Sequence, residues 1–338
     1  MIVSPLRLLI ALALSLPMLA WSQNGSDFSN NLQPVTKVPE GVLLVKGAWS
    51  SASDSLTPLP EGGAVTNHIF KNQYFGMAYP LPAGFTQRYE GPPPSDSGRY
   101  VLAQIRPDRT FQGATKASIL ITAQDMFFTP LHHPSLLEYV NDSKDHLQAD
   151  YKLEEPPTQT KIAGHPFVFY AYWSPVAQLH WYVLATQIRC HEVEMVLSSR
   201  DAKLLSNFLL DMDKMTLPAE TGVTTGTGGG DAPVCISDYA SAGNMTARTE
   251  PIFSERRFNP VPVRIIIDKK GRVKHIHFLS AFPEQSKAIT EALNQWRFKP
   301  YWRGGQPVEV ETGVMFGRTP QFSAPTATTS VAGNGRTD

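Results

Sequence analysis

The sequence predicts an α+β protein with two domains, an N-terminal antiparallel-sheet α/β sandwich and a small C-terminal domain of order strand, strand, helix, strand. Three observations lead to this prediction. Residues 61–217 are dense in aromatic and β-branched residues, residues 218–233 are rich in Gly and Thr, and residues 234–318 return to an apolar-rich pattern. A chain of 338 residues is also long enough to form two hydrophobic cores.

The first domain has five segments with the composition of β-strands, since they are rich in the residue types that suit a pleated surface. They are YFGMAYPL, YVLAQI, ASILITAQDM, HPFVFYAYW and HWYVLATQIRCHEVEMVL. Apolar residues at helical spacing predict two helices, one over residues 136–147 with Ser135 as its N-cap, and one over residues 204–212. Two helices can cover a face of such a sheet.

The second domain is predicted from its turns and its changes of hydrophobic period. VPVRIIID and RVKHIHFLS are expected to pair as antiparallel strands, with Gly271 at the turn position that favours positive φ. A helix is predicted from Pro283, in its first turn, until just before Pro300, which cannot continue it. The segment QPVEVETGVMF then alternates apolar and polar residues, as a final strand would.

The aromatic segment WRFKPYWRGG joins this helix to the final strand. Trp296 and Phe298 are predicted to close the helix against the sheet, with Tyr301 and Trp302 in the turn. Stacking on nucleic acid is the alternative use of aromatics between cations. An export signal argues against an encounter with nucleic acid, so we expect the aromatics to be structural.

The two ends of the chain and the segment between the domains have the composition of non-globular sequence. Residues 1–22 resemble a secretory signal peptide, with Arg7 before an apolar run, and the alternative is a retained anchor helix. Residues 23–60 are predicted to be a flexible lead-in and residues 319–338 a disordered tail. Residues 218–233 are predicted to be a linker, because their Gly and Thr content, with no large apolar residue, cannot repay the entropy of ordering. A phosphate-binding loop is the disfavoured alternative, because GTGGGD lacks the strand, helix and Lys of such loops.

Charge gives little guidance to a partner. The chain has 30 basic and 30 acidic residues, so no overall field attracts nucleic acid or an anionic membrane. We therefore expect no nucleic-acid partner, and no stable membrane insertion once the signal is cleaved.

The two cysteines, Cys190 and Cys235, are candidates for a disulfide, because an exported protein folds where such a bond persists. Two unrelated thiols are the alternative. Cys190 also neighbours His191, but adjacent residues in a strand point to opposite faces and cannot form a nucleophile and base.

Two histidine pairs suggest metal binding, His132 with His133, and His275 with His277. A metal site needs further ligands, and the sequence does not indicate them. We expect His275 and His277 to share one face of a strand, exposed to solvent. With no recognisable catalytic motif either, the sequence predicts no metal, no cofactor and no enzyme activity.

The run from ARTEPIF to VETGVMF resembles the C-terminal domain of TonB and its periplasmic relatives. The matching features are Glu250 and Pro251, the strand that ends in Asp268, WRFKP after an Ala-Leu helix, and GGQPVEVE before the closing GVMF. The resemblance implies a small domain, residues 234–318, whose exposed sheet edge pairs with an extended segment of an outer-membrane or envelope protein. The candidate edge residues are Val308, Glu309, Val310, Glu311, Thr312 and Val314.

The charge of this region agrees with such a binding role. Residues 250–318 contain twelve Lys or Arg and seven Asp or Glu, a net charge of +5, which favours an acidic partner. An exposed strand edge also offers N–H and C=O groups to an incoming strand. The resemblance to TonB, together with the predicted export signal, therefore implies a periplasmic adaptor protein that binds by β-strand addition.

Two other functions remain open from the sequence. One is a TonB-type energy transducer that keeps its N-terminal anchor and supports outer-membrane transport. The other is a periplasmic ligand-binding sensor or enzyme with its pocket in residues 61–217. That first domain is faintly similar to PsbP-type lumenal and periplasmic domains, which implies an accessory fold.

Overall fold

The sequence is rich in segments of aromatic and β-branched residues, and the chain accordingly folds mainly into β-sheets with few helices. The structure, a computed structural model, describes residues 43–44, 51–54, 56–89, 98–109, 111–112, 116–129, 135–218, 232–241, 243–253 and 260–317. The predicted signal peptide, nearly all of the predicted lead-in before residue 51, the linker from residue 219 to 231, the tail, and His132 and His133 lie outside these residues.

The strands of the N-terminal half are β1 (Leu43–Leu44), β2 (Ser51–Ala52), β3 (Ala64–Thr66), β4 (Ile69–Asn72), β5 (Met77–Pro80), β6 (Phe85–Tyr89), β7 (Arg99–Pro107), β8 (Ala117–Asp125), β9 (Lys152–Ile162), β10 (His165–Ser174), β11 (Leu179–Ile188) and β12 (His191–Ser199). Its helices are α1 (Leu136–Asp145) and α2 (Ala202–Asp211).

The strands of the C-terminal half are β13 (Val234–Cys235), β14 (Met245–Ala247), β15 (Val261–Ile267), β16 (Val273–Phe278), β17 (Arg297–Phe298), β18 (Tyr301–Arg303), β19 (Gln306–Val308) and β20 (Val310–Phe316). The third helix, α3 (Pro283–Leu293), lies between β16 and β17. None of the three helices in the described segments is long and apolar enough to cross a membrane.

The front sheet has seven strands in the order β6-β7-β8-β12-β11-β10-β9, and every neighbouring pair is antiparallel. One face packs with α2 through Leu205 and Phe208 in the main core. The other face packs with α1, whose Val140 meets Val168 and Val183. Ser135 caps α1 as expected, because its Oγ accepts from the Glu138 N–H at 3.2 Å.

The second large sheet has the order β1-β2-β16-β15-β20-β13. Its centre confirms the predicted succession of strand, strand, helix and strand, and Gly271 has the positive φ of 77° that the hairpin turn requires. On one face α3 contributes Ile289 and Leu293 to a core with the strand residues Ile265 and Phe278.

The structure differs from the sequence prediction in two elements of the front sheet. The single predicted strand HWYVLATQIRCHEVEMVL is two strands, β11 and β12, because Arg189 takes a positive φ of 54° and reverses the chain at Cys190. The strand β9, KLEEPPTQTKI, was not predicted, because two adjacent prolines among mostly polar residues are typical of loops. Most of its side chains are exposed. As an edge strand it tolerates the prolines.

The predicted division into two domains is not confirmed. All described residues belong to one compact unit, residues 38–338. The main core of the front sheet includes Leu279 and receives Met315, both from the C-terminal half. The two sheets therefore share buried contacts.

Candidate functional site

The candidate docking edge is the side of β20 that faces away from β15. Along a strand, alternate residues direct their backbone groups to the same side. The N–H of Val234 donates to the Glu309 carbonyl at 2.8 Å, and that of Ile236 to the Glu311 carbonyl at 3.1 Å. The backbone groups of Gly313 and Met315 therefore point the same way, away from β15.

The chain's own strand β13 covers the first part of this edge. It runs parallel to β20 and pairs Val234 with Val310, and Cys235 with Glu311. Within the described part of the chain, no strand pairs with β20 beyond Glu311 on this side. Gly313, Val314 and Met315 are half-buried, so each keeps some exposure to solvent.

The predicted edge residues do not form one uniform strand. Val308 belongs to β19, and Glu309 lies between β19 and β20, where its carboxylate accepts from the Lys274 ammonium at 2.9 Å. Val310, Glu311 and Thr312 are buried, and Val314 is half-buried. The alternation of side chains is as expected, with Val310, Val314 and Phe316 on the side of the α3 core.

The opposite face of β20 does not face solvent, because the front sheet covers it. A Cβ built on Gly313 would lie 2.5 Å from the Cβ of Phe127, far below normal contact, so the two sheets approach closely here because Gly313 lacks a side chain. Glu311, two residues earlier on the same face, is fully buried. This cover could not be predicted, since an alternating strand does not reveal what lies on its polar side.

A buried polar network joins the two sheets at Arg264. Its guanidinium forms an ion pair with Asp125 of β8, and donates to Glu311 Oε1 at 3.1 Å and to Tyr74 Oη at 2.7 Å. The Tyr74 hydroxyl donates in turn to Glu311 at 2.8 Å. Arg264 also donates to His191 Nε2 at 2.9 Å, which makes that ring neutral with its proton on Nδ1.

Arg189, in the turn between β11 and β12, completes the network. It forms an ion pair with Glu311, donates to the Tyr74 carbonyl at 3.2 Å, and places its guanidinium 3.9 Å from the centre of the Tyr74 ring. Two guanidinium groups, Arg189 and Arg264, thus meet two carboxylates, Asp125 and Glu311. The formal charges cancel, and the attraction between the paired groups offsets the desolvation cost of burying them.

The electrostatics of the network fit this pairing. Burial alone would raise the pKa of Glu311, but Arg189 and Arg264 outweigh it and hold that pKa at about 2. Burial lowers the pKa of His191 to about 3, so the ring is neutral at physiological pH. At neutral pH the network therefore contains an ionised Glu311 and a neutral His191, and it links the two sheets.

Cys190 and Cys235 form a disulfide beside this network, with Cα atoms 5.6 Å apart. The bond links the turn between β11 and β12 to β13. Since Cys235 is the register partner of Glu311, the bond and the Arg189–Glu311 ion pair hold the same point of β20. Cys190 lies in a turn, whereas the sequence analysis predicted that it lies in a strand.

His275 and His277 share a face of β16 but are buried, which corrects the expectation that they face solvent. His275 Nδ1 lies 2.6 Å from Asp54, and His277 Nε2 lies 3.0 Å from Glu61. Burial lowers the pKa of His275, against the opposing effect of Asp54. No cluster of three or more potential metal ligands occurs in the described ranges.

The aromatic segment from Trp296 to Trp302 divides between core and surface. Trp296 and Phe298 are buried in the α3 core, as expected, and the Trp296 indole N–H donates to the Thr249 carbonyl at 2.7 Å. Tyr301 packs against that core from β18, whereas Trp302 is 61% exposed.

Comparisons with known proteins leave the family of the chain open. No family model matches it, so the TonB resemblance stays a prediction from the sequence. No curated protein matches it either. Among solved structures it is similar to that of cyanobacterial PsbP (CyanoP) from Synechocystis sp. PCC 6803, with 13% identity over 48% of this chain and 99% of that chain, at a TM-score of 0.32. The expected PsbP likeness thus corresponds to a weak structural similarity.

Proposed function

We propose that this chain is an exported periplasmic protein that binds an envelope or outer-membrane protein by accepting an extended segment along β20. The observation that carries the proposal is the edge itself. β13 pairs with Val310 and Glu311, and the outward backbone groups of Gly313 and Met315 have no strand partner among the described residues. Such groups are a template for an added strand.

The surroundings of the edge support a preorganised site. Three features hold β20 in position. They are the Arg264–Glu311 ion pair, the disulfide beside Glu311, and the contact between Gly313 and Phe127. An incoming segment therefore meets a strand that is already in its bound conformation, which lowers the entropy cost of association.

The length of the open edge sets the strength of binding. Gly313 and Met315 offer two N–H and two C=O groups, and a hydrogen bond contributes about 0.5–1.5 kcal/mol net. Four such bonds with a few side-chain contacts correspond to a transient complex, with a Kd in the range of about μM to mM. The net charge of +5 over residues 250–318 favours an acidic partner.

Site-specific photo-crosslinking in the native envelope identifies the partner. Ser237 is exposed, and its carbonyl accepts from the Thr312 hydroxyl where β13 leaves the edge. A crosslinking residue at Ser237 is expected to capture the partner segment. The matched control is the same residue at Arg303, which is exposed on the β18–β19 hairpin.

A synthetic peptide of the captured segment then tests strand addition. N-methylation of the alternate amides that face β20 is expected to abolish binding, whereas N-methylation of the other alternate amides leaves it unchanged. The proposal is wrong if both methylated peptides bind alike, or if capture occurs at Arg303 and not at Ser237.

A further inference from the structure

A basic groove lies at the end of the front sheet opposite the buried network. Its volume is about 580 Å³, and its lining includes the cations Arg88, Arg106 and Lys116 and the hydroxyl groups of Ser118 and Ser198. The network residue Asp125 is at the end of β8, whereas Ser118 is near its beginning, seven residues from Asp125 along the strand.

Strand register assembles the groove from separate parts of the sequence. Ile105 of β7 pairs with Ile119 of β8, which brings Arg106 alongside Ser118. Ser118 in turn pairs with Ser198 of β12. Because side chains alternate, Ile105 and Ile119 enter the main core while Arg106, Ser118 and Ser198 share the other face. Helix α1 packs on that face further along, against β9, β10 and β11.

The three cations of the groove form no salt bridge within the described part of the chain. No carboxylate lines the groove. Arg106 and Lys116 form no salt bridge with any described residue, and Arg88 donates one guanidinium N–H to the Pro107 carbonyl at 3.3 Å. The carboxylates of Glu194 and Glu192 share the face, but they lie four and six residues from Ser198, about 13 and 20 Å by strand rise.

We infer that this groove binds a small ligand with two or more tetrahedral oxyanion groups, such as phosphate esters. Guanidinium and ammonium groups bind such oxygens strongly, and serine hydroxyls add donors directed by the sheet. The volume exceeds that of one phosphate ion and matches a small-molecule site. A soluble polyphosphate ester and a phospholipid headgroup share this chemistry.

Calorimetry at low salt, with inorganic tripolyphosphate and the full chain, tests whether the groove binds a soluble polyphosphate. Cosedimentation with vesicles that contain one fifth phosphatidylglycerol, against neutral vesicles, tests the lipid source. Arg106→Gln is expected to weaken binding about tenfold, and Arg106→Gln with Lys116→Gln about a hundredfold. The matched controls Arg303→Gln and Lys269→Gln remove exposed cations elsewhere and are expected to change affinity less than about twofold.

Binding in either assay that is lost with Arg106 and Lys116 but retained in the controls supports the inference and identifies the source. Equal weakening in the controls shows general charge attraction and overturns it, as does the absence of binding in both assays. Because Arg106 and Lys116 are exposed, the melting temperature of the double variant is expected to stay within a few degrees of the wild type.

Discussion

Arg264 is the residue on which the junction of the two sheets depends. It is 1% exposed, and its guanidinium contacts two carboxylates, a tyrosine and a histidine that come from four distant parts of the sequence. No sequence pattern marked it, because it stands within the apolar strand VPVRIIID. A charged residue inside such a strand is nevertheless a signal that a buried partner exists.

Removal of Arg264 is expected to destabilise the protein strongly. Arg264→Met leaves Asp125 and Glu311 with one cation between them, and an uncompensated buried charge costs about 3–5 kcal/mol. Adding Asp125→Asn restores neutrality, because the Arg189–Glu311 ion pair remains. The double variant is therefore expected to be more stable than Arg264→Met alone, as measured by urea unfolding. Additive effects of the two substitutions would contradict this electrostatic coupling.

Glu192 is expected to make stability fall with rising pH. It is buried on β12 two residues from Glu194, and burial, with a contribution from Glu194, raises its pKa to about 7 from 4.5. The folded state binds this proton more tightly than the unfolded state does. The contribution is therefore fully present below pH 4.5 and is lost as pH rises to about 7.

Glu192→Gln removes this loss, so the variant is expected to gain on the order of 1–2 kcal/mol at pH 8, relative to wild type, after allowance for solvent screening. Urea unfolding at pH 5, 6, 7 and 8 measures the slope, with exposed Glu155→Gln as the control. An unchanged slope in Glu192→Gln would show that Glu192 is not the titrating group.

At the scale of elements, the sequence predicted the parts of the structure that are encoded locally. The turn at Gly271, the Pro283 start of α3 and the Ser135 cap of α1 were all read from neighbouring residues. The two-residue strands β13 and β2 could not be predicted from neighbouring residues, because they form only through pairing with β20 and β16. The alternation of apolar and polar residues in β20 is local and was predicted. The burial of Glu311 by the front sheet depends on residues distant in sequence and was not predicted.

Among the links between elements, the disulfide has the clearest expected effect on the free energy of unfolding. Its residues are 45 apart in sequence, and closing a loop of that size stabilises the folded state by about 4 kcal/mol on the chain-entropy model. Cys190→Ala with Cys235→Ala is expected to lose about that amount in urea unfolding. The Ile236 amide, bonded to the Glu311 carbonyl, is expected to exchange faster because β13 loses its tether.

Reduction of the wild type provides the matched comparison, since it breaks the bond without changing a side chain. Reduced wild type and the double variant are expected to unfold at similar urea concentrations. If neither differs from oxidised wild type, the bond does not hold β13 in place.

At the scale of the whole molecule, shared burial predicts a single folding unit. The main core of the front sheet includes Leu279 and receives Met315, and Arg264 bridges both sheets. Thermal unfolding is therefore expected to give one calorimetric transition whose enthalpy equals the van't Hoff enthalpy. Two resolved transitions would instead support two independent domains joined by residues 218–233.

The proposed docking of a partner strand requires that the edge of β20 be unpaired in the isolated protein. Hydrogen exchange of individual amides, followed by NMR, distinguishes the two sides of this strand. The Val314 amide, which faces β15, is expected to be protected, and the Met315 amide, which faces outward, to exchange at least about a hundredfold faster. Equal protection of Met315 and Val314 would mean that the edge is already paired, and the proposed docking of a partner strand would then have no site.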